Sequence, residues 1–143
     1  MPRIVRAADI AWEGTLSRGT GVVSAASSGA FDLPVTLASR VAEPEGKTSP
    51  EELIAAAHAS CFSMALSHGL AQAGTPAERL DTSATVTFVP GTGITKIALT
   101  VRGSVPGVDE ASFAEAAQAA KAGCPVSQAL AAVPEITLDA ALS

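Results

Sequence analysis

The chain has 143 residues, 48% of them hydrophobic, with 9 basic and 14 acidic side chains and a net charge of -5. That length and composition suit one domain over residues 1–143 with a core of its own. The acidic balance, with no basic run, argues against nucleic acid and against an anionic membrane surface as partners.

The N-terminal stretch MPRIVRAADIAW carries charges but no apolar core, so it does not read as a secretory leader. The longest apolar stretch, Leu53 to Leu66, is broken by His58, Ser60 and Ser63, and reads as too short and too polar to span a bilayer. The cytoplasm is the expected location. There, two cysteines point to reactive or simply buried thiols rather than to a static disulfide.

In chain order, Ile10 to Ala26 reads as a hairpin around a Gly- and Ser-containing turn near Ser17–Gly21. A turn at Ser27–Gly29 leads into a short strand, FDLPVTLAS, ending near Arg40, and VAEPEGKTS follows as a polar loop. Ser49 then opens the central helix: it is a good N-cap, Pro50 suits the first helical position, and Glu52 completes a capping box. Gly74 and Pro76 stop that helix after Ala73. Leu53, Ile54, Phe62, Met64, Leu66 and many alanines leave it without a polar face, so it should be buried on most sides. A single small sheet covers one side only, so a partner subunit is expected on the other.

Two alternating strands follow, TSATVTFV and ITKIALTVRGSV, the second with Ile97, Leu99 and Val101 on one face and Lys96, Thr100 and Arg102 on the other. Asp109 caps a second helix, EASFAEAAQAAKA, which Gly123 ends. Pro125 opens a short helix, PVSQALAA, and the chain closes with the strand EITLDAAL. Strands, a helix, strands, helices and a strand in that order predict an α+β fold with mainly antiparallel sheet.

The chemistry centres on Cys61, mid-way along the central helix, and Cys124, at a Gly-Cys-Pro break. Cys61 gains little from the helix dipole and needs a cation from the fold to become a thiolate; Arg40 and Arg18 are the candidates. Cys124, if it is the N-cap before Pro125, lies beside free backbone N–H groups, and local sequence alone makes it the more acidic thiol. His58, one turn before Cys61, is either the base for that thiol or a satisfied interior residue. Glu51 stands ten positions before Cys61, roughly 15 Å along a straight helix. A joint site therefore needs a bent helix, a mediating Arg, or Glu51 from a second subunit. With no CxxC, and only His58, His68 and the two cysteines as soft ligands, no metal site is expected.

The segments SPEELIAAAHASCFSMALS, ITKIALTV and KAGCPVSQ, with AWEG near the start and EITLD near the end, resemble the OsmC/Ohr family of thiol peroxidases over nearly the whole chain. KAGCPVSQ and AAHASCFSMAL resemble its OsmC branch. The resemblance implies an OsmC-like fold: an intertwined homodimer with long central helices between two sheets and two active sites at the interface. It implies Cys61 as the peroxidatic cysteine, Cys124 as the resolving one, Glu51 as the catalytic acid and Arg40 as the catalytic arginine, with Arg18 in a matching Arg-Gly turn as the alternative.

The implied reaction is reduction of an organic hydroperoxide, and more weakly of hydrogen peroxide, to the alcohol. It runs through a Cys61 sulfenic acid and a Cys61–Cys124 disulfide that an external dithiol, such as a lipoyl protein, reopens, without metal or other cofactor. Phe62, Met64 and Phe31 would favour an organic substrate. Local sequence nominates Cys124 as the more acidic thiol; the resemblance gives the first attack to Cys61. Two other readings stand beside this one: a non-enzymatic dimer of the same fold that binds a small apolar ligand, and a redox sensor that uses the same pair without turnover.

Overall fold

A computed structural model describes residues 2–143. The chain divides into two compact units, one ending at Pro50 and one from Glu51 to Ser143.

The first unit is a three-stranded antiparallel meander of β1 (Asp9–Glu13), β2 (Thr20–Ser24) and β3 (Asp32–Val35), followed by a short helix α1 (Leu37–Val41). Gly21 pairs with Trp12 across β1 and β2. A Cβ at Gly21 would lie 2.7 Å from the Trp12 ring, so the indole needs glycine there. The indole Nε1 donates to the Gly14 carbonyl at 3.1 Å, bracing the turn that carries Arg18. Ile10, Trp12 and Val22 remain exposed.

The sequence reading ran β3 on to Ser39, but the strand stops at Val35. Thr36 caps α1 in a reciprocal box: its hydroxyl accepts from the Ser39 amide at 3.0 Å, and the Ser39 hydroxyl accepts from the Thr36 amide at 3.0 Å. Two hydroxyls three residues apart thus outweigh the strand pattern, and Arg40 sits on a helical turn instead of at a strand end.

In the second unit, helices α2 (Pro50–Gln72), α3 (Glu110–Gly123) and α4 (Pro125–Ala129) accompany a sheet of β4 (Arg79–Val89), β5 (Gly93–Ser104) and β6 (Glu135–Leu142). β4 and β5 form an antiparallel hairpin with a bulge at Thr87/Phe88. β6 returns beside β5 in parallel, because α3 and α4 carry the chain back to the starting end of the sheet. Along β5, Ile97, Leu99 and Val101 are buried, as alternation predicts. Arg102 and Lys96 pair at the surface with Asp139 and Glu135.

The core joins Phe62, Leu66 and Leu70 of α2, Leu99 and Val101 of β5, and Phe113, Ala117, Ala120 and Cys124 at and after α3. Gly103 makes room for the Phe113 ring, since a Cβ there would lie 2.6 Å from two ring carbons. On α2 the buried residues are Glu51, His58, Phe62, Leu66 and Leu70, a single stripe at helical spacing. Met64, off that stripe, is 73% exposed. Within one chain the helix is therefore covered on one side, where its composition calls for cover on most sides.

The 23 residues of α2 are long and apolar enough, by length and composition alone, to cross a bilayer. Leu70 and Ala71 carry the apolar helix beyond the Leu53–Leu66 run, while His58, Ser60 and Ser63 interrupt it as the sequence indicates. Its buried stripe is nevertheless spent on a protein core.

Candidate active site

The two cysteines, 63 positions apart, meet where α2 passes the junction of α3 and α4. Cys124 closes α3, its amide donating to the Ala120 carbonyl at 2.9 Å, and is also the N-cap residue of α4 with Pro125 following. The Gly-Cys-Pro sequence explains this double role: Pro125 cannot continue α3 but suits the first position of a new helix. Cys124 is fully buried and Cys61 half-buried, both as free thiols, and the two side chains lie close enough that each shifts the other's titration.

The two thiols feel this contact in opposite senses. Burial pushes the Cys61 thiol up, the bond to Cys124 pushes it further, and the Val126 amide works against the rise. Burial also acts to raise the Cys124 thiol. The bond from Cys61, the Ser127 amide and hydroxyl, and the Val126 amide outweigh it and bring Cys124 below the usual thiol range. The Cys124 side chain does not close a cap on α4; it lies in the field of these donors. The local expectation that Cys124 is the more acidic thiol agrees with this direction.

His58 is not placed as a base for Cys61. Its ring Nε2 lies 2.7 Å from the Ser127 hydroxyl, and the pair is buried. Burial holds the imidazole below its usual range, so it is neutral near pH 7. Ser127 is the residue the sequence reading missed. Its signal is position: three residues after the N-cap, the N3 residue faces back toward Cys124.

Glu51 is buried at the start of α2. The helix is continuous from Pro50 to Gln72, so Glu51 and Cys61 of one chain stay roughly 15 Å apart. Phe62 lies in the core with no exposed surface, whereas Met64 is exposed. Arg18, Phe31 and Arg40 belong to the first unit, Arg18 on the β1–β2 turn, Phe31 just before β3 and Arg40 on α1, and all three are exposed. The structure thus brings Cys61, Cys124, His58 and Ser127 together within the second unit. Among the described residues no group of three or more His, Cys, Asp or Glu could hold a metal ion.

A family profile described as OsmC-like protein matches residues 43–139. The chain is 50% identical over 131 residues to a peroxiredoxin OsmC of Escherichia coli (strain K12), covering 90% of each. An organic hydroperoxide resistance protein OsmC from Legionella pneumophila has a similar structure, with a TM-score of 0.73 at 20% identity over 97% of this chain and 99% of that one. An organic hydroperoxide resistance protein from Elizabethkingia anophelis gives a TM-score of 0.74 at 19% identity, over 99% and 100%. At such identities the two solved structures speak to the fold alone.

Proposed function

Because the chain belongs to the OsmC family, we infer that it is a cysteine-based peroxidase that reduces organic hydroperoxides to alcohols. The observation that carries this reading is the contact between two free thiols, one half-buried and one fully buried.

Cys61, the more accessible thiol, attacks the distal oxygen of the hydroperoxide. The O–O bond breaks, the alkoxide leaves as the alcohol, and Cys61 becomes a sulfenic acid. Cys124, already in contact with it, displaces the sulfenic oxygen as water and forms the disulfide. An external dithiol, such as a lipoyl group, reduces that disulfide by exchange. Hydrogen peroxide is the poorer substrate in this reading, because Cys61 packs against the apolar core of the second unit.

Both burial and Cys124 raise the Cys61 thiol, so a cation is needed to hold it as thiolate at neutral pH. We assign that role to Arg40, fixed in plane by Glu51, with Arg18 as the alternative. Since Glu51 cannot reach Cys61 along its own helix, it acts through the arginine, and the partner of a homodimer is the other source of the acid. Supporting that assembly are the uncovered sides of α2, with Met64 exposed, and the exposed Ile10, Trp12 and Val22 of the first unit. The cytoplasm is the compartment in which a thiol enzyme of this kind stays reduced.

The test is cumene hydroperoxide consumption with dihydrolipoamide as reductant. Wild type turns over, Cys61→Ser does not, and Cys124→Ser completes one turnover and stalls as sulfenic acid. Absence of turnover in wild type with both thiols free and accessible would favour a ligand-binding or redox-sensing protein.

A further inference from the structure

The buried His58–Ser127 pair has no task in the peroxide-reducing half of the reaction, and its geometry is specific. His58 is 0% exposed, its Nε2 meets the Ser127 hydroxyl at 2.7 Å, and its Nδ1 has no hydrogen-bond partner among the described residues. A neutral imidazole carries one proton, and the unpartnered nitrogen decides where. With the proton on Nδ1, a buried N–H would have no acceptor, and the single Ser127 hydroxyl hydrogen would be committed to Nε2. With the proton on Nε2, His58 donates to Ser127 Oγ, and the Ser127 hydroxyl is free to donate to Cys124, the buried N-cap residue three positions before it on α4. The second arrangement makes two hydrogen bonds where the first makes one. The result is a directed chain from His58 through Ser127 to the Cys124 sulfur.

Accessibility points the same way. Cys124 is 0% exposed, while Cys61 is half-buried and must be reachable by the hydroperoxide. An opening that admits the peroxide to Cys61 also admits a dithiol to it.

We propose that Ser127, oriented by His58, receives Cys124 as the leaving group when the disulfide is opened, so that the external dithiol attacks at Cys61. This rests on the Cys61–Cys124 disulfide of the peroxidase reading. One thiolate of the reductant attacks Cys61 Sγ and forms a mixed disulfide there. The S–S bond breaks, and its electron pair leaves on Cys124 Sγ, which accepts the Ser127 hydroxyl hydrogen bond. The second reductant thiol then attacks its partner sulfur, releases Cys61 and closes the reductant's own disulfide. The two protons shed by the dithiol are taken up by the two enzyme sulfurs. A leaving thiolate that is well stabilised departs faster, which is the gain over attack at the other sulfur. His58 acts only through Ser127 and is a positioning residue.

The test uses the full chain with its disulfide formed by diamide, so that it does not depend on peroxide chemistry. Oxidised wild type is treated with 2-mercaptoethanol, quenched in acid, and the adduct mapped by peptide mass. The adduct is expected on Cys61; a predominant adduct on Cys124 overturns the proposal. Ser127→Ala and His58→Leu should each slow opening of the disulfide by dihydrolipoamide about tenfold, the effect of losing a hydrogen bond to a charged sulfur. They should also shift part of the adduct to Cys124. His58→Gln, which can place an amide N–H near the position of Nε2, should restore most of the rate. Equal opening rates in wild type and His58→Leu would overturn the relay, and the wild-type adduct decides the matter even if a variant does not fold. A diamide-formed disulfide that opens as described, in a protein that no hydroperoxide oxidises, would sink the peroxidase reading and leave this one standing.

Discussion

Gly103 and Phe113 allow a quantitative test of how the core holds the cysteine junction. A Cβ on Gly103 would lie 2.6 Å from both Cε1 and Cζ of Phe113 and 3.3 Å from Leu80. The Phe113 ring is fully buried, so it cannot swing into solvent to relieve the clash. Gly103→Ala must therefore displace α3 or force the ring off its rotamer, a penalty of about 1–3 kcal/mol for overpacking. For a chain of this size that is roughly 3–10 °C in Tm.

The assay is thermal unfolding by circular dichroism for wild type, Gly103→Ala, Phe113→Leu and the double variant, at one fixed protein concentration because assembly shifts Tm. In the Phe113→Leu background the shorter side chain removes the contact, so Gly103→Ala should cost less there, with a coupling of about 1 kcal/mol or more. Additive losses, or an unaltered Tm for Gly103→Ala, would refute the reasoning. Because α3 runs directly into Cys124, the single variant should also form the disulfide more slowly after diamide treatment.

Three further outcomes are expected. Arg40→Ala should move the pH midpoint of Cys61 alkylation upward, leaving less thiolate at neutral pH, while Arg18→Ala leaves it in place; the reverse pattern would transfer the role to Arg18. Burial depresses the His58 pKa, so the unfolded chain takes up that proton first as pH falls. Its contribution to stability is intact above the ordinary value of 6.5 and lost below it; urea unfolding from pH 7.5 down should show this loss, and His58→Gln should lack that part of the slope. Light scattering during size-exclusion chromatography should give twice the chain mass of 14.2 kDa, and a monomer at micromolar concentration would remove the basis for Glu51 acting from a partner.

What the sequence made legible was local. Gly-Cys-Pro announces the helix break at Cys124 because proline and the chain's need for a cap act within two residues of it. Asp109 caps α3 for the same kind of reason, accepting from the Ser112 amide at 2.8 Å. Alternation in β5 gave the buried face correctly, since one sheet face meets the helices. FDLPVTLAS looks extended throughout, but the Thr36–Ser39 box within it ends β3 at Val35 and turns the chain into α1.

The cysteine contact and the His58–Ser127 bond were beyond local reading, the latter because it joins residues 69 apart. Composition likewise could not tell which side of α2 its own chain would cover. The parallel placement of β6 was also hidden, because strand direction depends on where the crossover helices return, not on the pattern within EITLDAAL.

Joining Cys61 to Cys124 would close a loop of about 60 residues that contains the second half of α2, the β4–β5 hairpin and all of α3. On the chain-entropy view such a staple lowers the freedom of the unfolded chain by about 4 kcal/mol at 25 °C. Each catalytic cycle would then alternate a less stable, reduced protein with a more stable, oxidised one. The protein would be hardest to unfold or digest while it waits for its reductant, and its resistance to protease would report how much of the population is stalled.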